Sequence, residues 1–273
     1  MTIEVFAPAK INLTLHVTGQ REDCYHLLDS LVVFADIGDT ICVRDAADLS
    51  LTLDGPEAAS LAVEPDNLVL RAARLLADKG AAIKLTKRLP VASGIGGGSA
   101  DAAATLRALS RLWSLPIPDL AALLPLGADV PVCLDTAPRR MLGIGDILRP
   151  APPLPDMDIL LVNPRVSVPT PSVFTALRQK QNPAMSVNLP RWSGVPDFIA
   201  WLKTCRNDLQ APAIALQPVI VETLGMLEAT GALHVGMSGS GATCFALFPQ
   251  DGSAAQAARR VRPDWWRAHG KLL

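Results

Sequence analysis

Ser93-Gly94-Ile95-Gly96-Gly97-Gly98-Ser99 is the stretch on which the fold turns. Just upstream, Ile83 and Leu85 alternate with Lys84 and Thr86, the period of a short strand, and Pro90 opens a loop. Downstream, an Ala- and Leu-rich run predicts a helix from about Ser99 to Trp113. Strand, glycine loop and helix in that order set bare amides at a helix N-terminus, because glycine permits φ > 0 and presents no Cβ to an approaching anion. The positive end of the helix dipole adds to this, so phosphate oxygens can be held by backbone with little need for a lysine in the loop. Ser99 is placed to cap the helix or to touch a phosphate-bound metal. The alternative is a glycine-rich turn with no ligand.

Two common nucleotide loops are excluded. A Walker A motif needs G-x-x-x-x-G-K-[ST], and a dinucleotide fingerprint needs its third glycine where Ser99 stands. A second glycine segment, Gly236-Met237-Ser238-Gly239-Ser240-Gly241-Ala242-Thr243, precedes a strand at Thr243 to Phe248 and taken alone reads as a connecting turn. Neither serine fits G-x-S-x-G, which disfavours a serine hydrolase.

Working outward, Thr2 to Val17 alternates apolar and polar residues as one half-buried strand, with Ile11, Leu13, Leu15 and Val17 on one face and Lys10, Asn12, Thr14 and His16 on the other. Further strands are predicted at Leu31 to Ala35, Thr40 to Val43 and Leu49 to Leu53, separated by Gly and Asp. After Asp66 and Asn67 the period becomes helical, with Leu68, Ala72, Leu75 and Leu76 on one face and Gly80 as a stop signal. Pro150, Pro152, Pro153 and Pro155 interrupt regular structure and mark the domain boundary, giving an N-terminal domain over 1–150 and a C-terminal domain over 151–273. Beyond it come a strand at Ile159 to Val162 and helices around Ser172 to Leu177, Phe198 to Leu202 and Val219 to Ala229. No repeat period or low-complexity block is present. The expected class is α+β in two lobes.

Composition narrows the function classes. With 273 residues, 49% apolar and 19% charged, the chain can bury real cores and is not disordered. Its 25 Lys+Arg against 26 Asp+Glu give no overall attraction to a polyanion, so nucleic acid is a poor partner. No apolar stretch reaches the ~20 residues of a membrane span and residues 1–20 lack a signal pattern, so a cytoplasmic protein is expected. Five cysteines without a C-x-x-C pair read as reduced, mostly buried thiols. Four histidines without H-x-x-x-H spacing leave no protein-ligated transition metal, so any metal should arrive with a substrate.

Pro8-Ala9-Lys10-Ile11-Asn12-Leu13 near the start, Gly94 to Ser99 in the middle and Gly236 to Thr243 near the end together resemble the GHMP small-molecule kinases. Asp23-Cys24-Tyr25-His26, Gly127-Ala128-Asp129-Val130-Pro131 and Pro169-Thr170-Pro171 extend the resemblance over nearly the whole chain, toward the branch that acts on a cytidylylated methylerythritol. The resemblance implies a two-lobed α+β fold, its N-terminal lobe like domain 2 of ribosomal protein S5 and its C-terminal lobe ferredoxin-like, with the active site between the lobes. It also implies phosphoryl transfer from ATP, accompanied by Mg²⁺, to the 2-hydroxyl of 4-diphosphocytidyl-2-C-methylerythritol in the non-mevalonate route to isoprenoid precursors. The protein would work as a monomer or homodimer.

By the same resemblance, ATP is held by Pro90, Val91, Ala92, Ser93, Gly94, Ile95, Gly96, Gly97, Gly98, Ser99 and Ala100, with Asn67 in the adenine pocket. Asp129 takes the proton of the acceptor hydroxyl, and Lys10 keeps it ionised and stabilises the charge that develops. Asn12, Tyr25, His26, Thr170 and Phe174 are matched to acceptor contacts, the aromatic rings suiting a stacked base. A carboxylate such as Asp101 could help hold Mg²⁺, alongside phosphates, Ser99 and water. Taken singly, Lys10 is a solvated strand residue and Asp129 a cap on the turn before Pro131; their order with the glycine loop argues otherwise. Two departures stand out. Cys24 occupies a position where the family usually has Gly, so the turn before Tyr25 should differ in shape, and Asp135 to Met141 lacks the expected Gly- and Ala-containing stretch. The competing readings are a GHMP kinase for another alcohol, of homoserine or mevalonate type, and a non-catalytic nucleotide-binding regulator.

Overall fold

Residues 1–61 and 66–273 are described by a computed structural model. Two units interleave along the chain: Met1–Lys10, Gly38–Val91 and Gly96–Thr136 form the first, and Ile11–Ile37, Ala92–Ile95 and Ala137–Leu273 the second. In chain order the strands and helices are β1 (Thr2–Asn12), β2 (His16–Gln20), β3 (His26–Asp45), β4 (Leu49–Asp54), α1 (Leu68–Leu76), β5 (Ala81–Thr86), α2 (Gly97–Trp113) and α3 (Leu120–Leu123). Then follow β6 (Arg139–Gly143), β7 (Ile147–Pro150), β8 (Asp158–Asn163), α4 (Thr170–Ala176), α5 (Val195–Leu202), α6 (Gln210–Leu216), α7 (Val219–Glu228), β9 (His234–Met237), β10 (Cys244–Phe248), α8 (Ser253–Ala258) and β11 (Trp266–Lys271). No described helix is long and apolar enough to cross a membrane.

In the first unit, Thr40–Asp45 of β3 pairs antiparallel with β5, and β5 pairs parallel with β4. Helices α1 and α2 pack on each other. α2 buries Ala100, Ala102, Ala103, Ala104 and Ala108 together with Leu106 and Leu109, and the small side chains allow close approach of its neighbours. The two strands predicted on either side of Gly38 and Asp39 are one continuous strand, β3. Gly38 is there for space: a Cβ would lie 2.3 Å from the Ala7 carbonyl oxygen and 2.8 Å from the Pro8 Cα of β1. A glycine read as a break is therefore a close backbone approach. α1 also differs from expectation. It buries Val69, Leu70, Ala72 and Ala73, leaving Leu75 exposed.

In the second unit, His26–Asp29 of β3 pairs with β2, and Leu28–Val32 with β6, which continues to β7. A separate antiparallel sheet runs β11-β8-β10-β9. With helices between β8 and β9 and again between β10 and β11, this is the 4-1-3-2 order of a ferredoxin-like split βαβ sheet. Its core joins Leu160, Val162, Ala246 and Phe248 of the sheet to Ile220 and Leu227 of α7 and to Ala254, Ala257 and Ala258 of α8. The strands expected at Ile159 to Val162 and Thr243 to Phe248 and the three expected helices are present, whereas β6, β7, α6, β9, α8 and β11 were not anticipated. Residues of β11 alternate with little apolar content, and the strand exists because its backbone completes the ladder of β8.

The single strand expected over Thr2 to Val17 is interrupted. β1 ends at Asn12 and β2 begins at His16, because Leu15 turns away to bond the backbone at Arg206 and Asp208. The expected half-exposed face is not exposed either: Lys10, Asn12, Thr14 and His16 are all buried. Both faces of this segment are covered, so its alternation marks two kinds of buried environment.

Candidate active site

Glycine conformations shape the loop between β5 and α2. Gly94 and Gly96 lie at φ +77° and +64°, and Gly96 is the N-cap of α2 with no side-chain cap bond. Helix α2 thus starts at Gly97, two residues before the predicted Ser99, which sits in the first turn and does not cap. Ala100 N–H donates to the Gly96 carbonyl at 2.8 Å, the first helical bond, and the amides of Gly97, Gly98 and Ser99 precede it without an intrahelical acceptor. Behind the loop there is no room. A Cβ on Gly96 would lie 3.0 Å from Lys10 Cβ, and one on Gly97 3.1 Å from Lys87 Nζ. In front there is space, since a Cβ on Gly98 would meet only Leu68 Cδ2 at 3.9 Å. Of the other predicted loop positions, Pro90, Ser93, Ile95 and Ala100 are buried and can reach a ligand only by backbone, while Val91 and Ala92 are exposed.

Lys10 packs directly on Gly96 and points its Nζ at Asp129 Oδ2, 2.7 Å away. The ammonium side chain is 5% exposed and the carboxylate 33%, so the cation is sealed while the acid can still meet a ligand. A buried ammonium requires such a partner. Asp129 follows Gly127, whose backbone lies at φ +155°, and its main chain continues into a 3₁₀ turn at Val132–Leu134. The two bland alternatives are thereby set aside: Lys10 is not solvated, and the Asp129 side chain binds an amine in place of capping the turn. Burial, and after it the charge of Asp129, pushes the Cys133 thiol well above its ordinary range. Asn67 is the N-cap of α1, its Oδ1 accepting from Val69 N–H at 3.0 Å.

The second unit holds the acceptor candidates. Asn12 is buried; its Nδ2 donates to Ser30 Oγ at 2.8 Å, its N–H donates to Ser238 Oγ at 3.0 Å, and its buried Oδ1 has no partner. His26 stacks on Phe174 with ring centroids 4.7 Å apart and planes 22° from parallel. Burial, and then the charge of Lys180, lowers the His26 pKa, and its Nε2 is buried without a partner. Tyr25 is 61% exposed. Thr170 Oγ1 shares a 2.8 Å hydrogen bond with Ser240 Oγ. Cys24 adopts φ +69°, so this turn keeps a glycine's backbone despite the side chain, at a cost of about 1 kcal/mol.

Three features were missed from sequence. The second glycine segment is a brace: Ser238 Oγ donates to the Gly94 carbonyl at 2.9 Å, Thr243 N–H donates to the Ser93 carbonyl at 3.1 Å, and a Cβ on Gly94 would meet the Ser238 carbonyl oxygen at 2.5 Å. Arg140 forms a two-bond fork with Asp29 at 2.7 and 2.8 Å and gathers the carbonyls of Met185, Ser186 and Val187. Finally, Lys87 Nζ lies between Asp39 and Asp101, all three side chains buried. Asp101, expected as a carboxylate that could help hold Mg²⁺, is buried, with its Oδ2 accepting from Lys87 at 2.7 Å and its Oδ1 without a partner. Asp39 inside β3 was the available signal, since Asp is depleted in strands, but it names no partner.

Comparison with known proteins identifies the family. Residues 67–147 match the family model for the GHMP kinases N terminal domain, and residues 195–268 that for the GHMP kinases C terminal. A protein of Ruegeria pomeroyi named 4-diphosphocytidyl-2-C-methyl-D-erythritol kinase is 66% identical, with all of both chains covered. Another of that name from Cereibacter sphaeroides is 59% identical over 96% of each chain. A crystal structure of 4-(cytidine 5'-diphospho)-2C-methyl-D-erythritol kinase superposes with a TM-score of 0.81 at 33% identity, covering 99% of each chain.

Proposed function

Since the chain belongs to the GHMP kinases, we propose that it transfers the γ-phosphoryl group of ATP to the 2-hydroxyl of 4-diphosphocytidyl-2-C-methylerythritol, giving the 2-phosphate and ADP in the non-mevalonate route. The observation that carries the reading is the Lys10–Asp129 pair lying directly against Gly96 of the glycine loop. Phosphoryl transfer asks a protein to align two oxygens about phosphorus and to neutralise spreading charge. The amides of Gly97, Gly98 and Ser99 receive phosphate oxygens at the open side of the loop, and the half-buried Asn67, whose amide oxygen caps α1, offers its amide nitrogen to the base. Asp129 accepts the proton of the acceptor hydroxyl. Lys10 donates to Asp129 before transfer, which orients the carboxylate, and stabilises the oxygen that loses its proton.

Mg²⁺ bound with ATP would supply positive charge that offsets the phosphates. Ser99, in the first turn of α2, is the hydroxyl the loop offers to it, whereas the Asp101 side chain is buried beside Lys87. In the second unit, His26 and Phe174 form an aromatic wall for the cytosine, Tyr25 supplies an exposed ring, and Thr170 and Asn12 add polar contacts. Burial keeps His26 neutral near pH 7, so its ring can offer a donor and an acceptor to a base edge. The enzyme acts in the cytoplasm on two small soluble substrates.

The test is a substrate panel with Mg-ATP. Turnover of the cytidylylated methylerythritol is expected, and none of homoserine or mevalonate. Turnover of either of those instead would replace the acceptor assignment, and ATP binding without turnover of any alcohol would favour a regulator.

A further inference from the structure

Both ends of the glycine loop are tied to one buried carboxylate. Asp39 of β3 accepts from Arg88 N–H at 2.5 Å and Leu89 N–H at 2.9 Å through Oδ1, which fixes the chain where it leaves β5. Through Oδ2 it receives Lys87 Nζ at 2.5 Å, and the same ammonium donates to Asp101 Oδ2 at 2.7 Å, on the first full turn of α2 beyond the loop. The Lys87 backbone is bonded on both sides: its N–H donates to the Asp54 carbonyl and its own carbonyl accepts from Glu57 N–H. Its Nζ lies so close beneath Gly97 that a Cβ there would come within 3.1 Å.

We propose that Lys87, Asp39 and Asp101 are positioning residues for the nucleotide, a clip that holds the first turn of α2 at a set distance from the start of the loop and so aims the amides of Gly97, Gly98 and Ser99 at the phosphates. The proposal rests on the reading of those amides as a phosphate cradle. A chain with glycines at 94, 96, 97 and 98 has much backbone freedom to lose when it orders on a ligand. A loop ordered beforehand binds without that loss. One carboxylate suffices to neutralise Lys87, and the second adds negative charge in a buried place. Asp101 is buried and its Oδ1 has no partner, so an acid is held there at an electrostatic cost. Tying α2 to the loop's beginning is what the second acid accomplishes.

Asp101→Ala leaves a neutral Lys87–Asp39 pair and removes only the tie to α2. Calorimetric binding of a non-hydrolysable ATP analogue and steady-state kinetics are the measurements. Loss of one hydrogen bond to a charged group predicts weakening of analogue binding, and a rise in KM for ATP, on the order of ten-fold. The acceptor KM should stay within about two-fold, since the change alters none of the residues assigned to the acceptor. Asp101→Asn, whose amide oxygen can still accept from Lys87 Nζ, should recover most of the loss. Unchanged analogue binding in Asp101→Ala, with only a lower Tm, overturns the proposal, as does an Asn variant no better than Ala. Should Asp101→Ala not fold, Asp101→Leu fills the vacated volume and is expected to lose the same affinity; unchanged binding by it is equally fatal. Gly98→Val separates the two readings, because its side chain enters the open side of the cradle. If that variant binds the analogue normally, the cradle assignment fails irrespective of the clip.

Discussion

Replacing Gly96 by alanine tests whether the glycine loop and the Lys10–Asp129 pair work as one unit. The added methyl would lie 3.0 Å from Lys10 Cβ, 3.3 Å from its Cε and 3.5 Å from its Cδ, so the lysine must give way by a few tenths of an ångström along most of its length. Alanine at φ +64° costs about 1–2 kcal/mol in backbone energy. Crowding against a packed side chain adds about 1 kcal/mol. Stability should therefore fall by about 2–3 kcal/mol. The larger consequence is for catalysis. A 1 Å misplacement of a catalytic group can cost on the order of 10²-fold, so a shift of a few tenths predicts kcat lower by about ten-fold. Gly225→Ala in α7 is the control, because its methyl meets nothing within 4 Å and its φ is one that alanine accepts. Thermal unfolding and steady-state kinetics on both proteins decide the matter. If Gly96→Ala turned over as fast as Gly225→Ala while losing the stability stated, Lys10 would have no part in the transfer step.

Asp129→Asn should lower kcat by on the order of 10²-fold or more, the usual worth of a general base, while ATP binding persists in calorimetry; near-normal kcat would remove Asp129 from its role. Stability should also depend on pH through the histidines. Burial lowers the pKa of His16, His26 and His234 from 6.5, that of His234 to about 4. Each therefore binds its proton more readily in the unfolded chain than in the folded one, and the stability they confer is complete above pH 6.5 and declines as pH falls toward about 4. Denaturant midpoints measured across that window should drop steadily, and His234→Gln should flatten the slope. A flat profile in the parent protein would contradict the burial assigned to these rings.

What the sequence determined by itself was local. The run from Ile83 to Trp113 announces a strand, a glycine loop and a helix, because each depends on neighbours a few residues apart. The α+β class follows from the same short-range patterns, and the order of Lys10, the loop and Asp129 resembles one kinase family closely enough to suggest their roles. Tertiary structure decided which groups meet. Lys10 and Asp129 are 119 positions apart, and Lys87 finds Asp39 and Asp101 at separations of 48 and 14, distances over which no periodicity carries information. Gly38 and Ser238 were misread for the same reason, one as a break and the other as part of a plain turn, since the atoms that explain them belong to β1 and to the 93–94 backbone. Lys10, Asn12, Thr14 and His16 were expected on a wetted face because alternation reveals amphipathic character only where water covers one side. Here both sides are packed, and a polar side chain sealed from water must find a charge or hydrogen-bond partner that only the folded chain supplies.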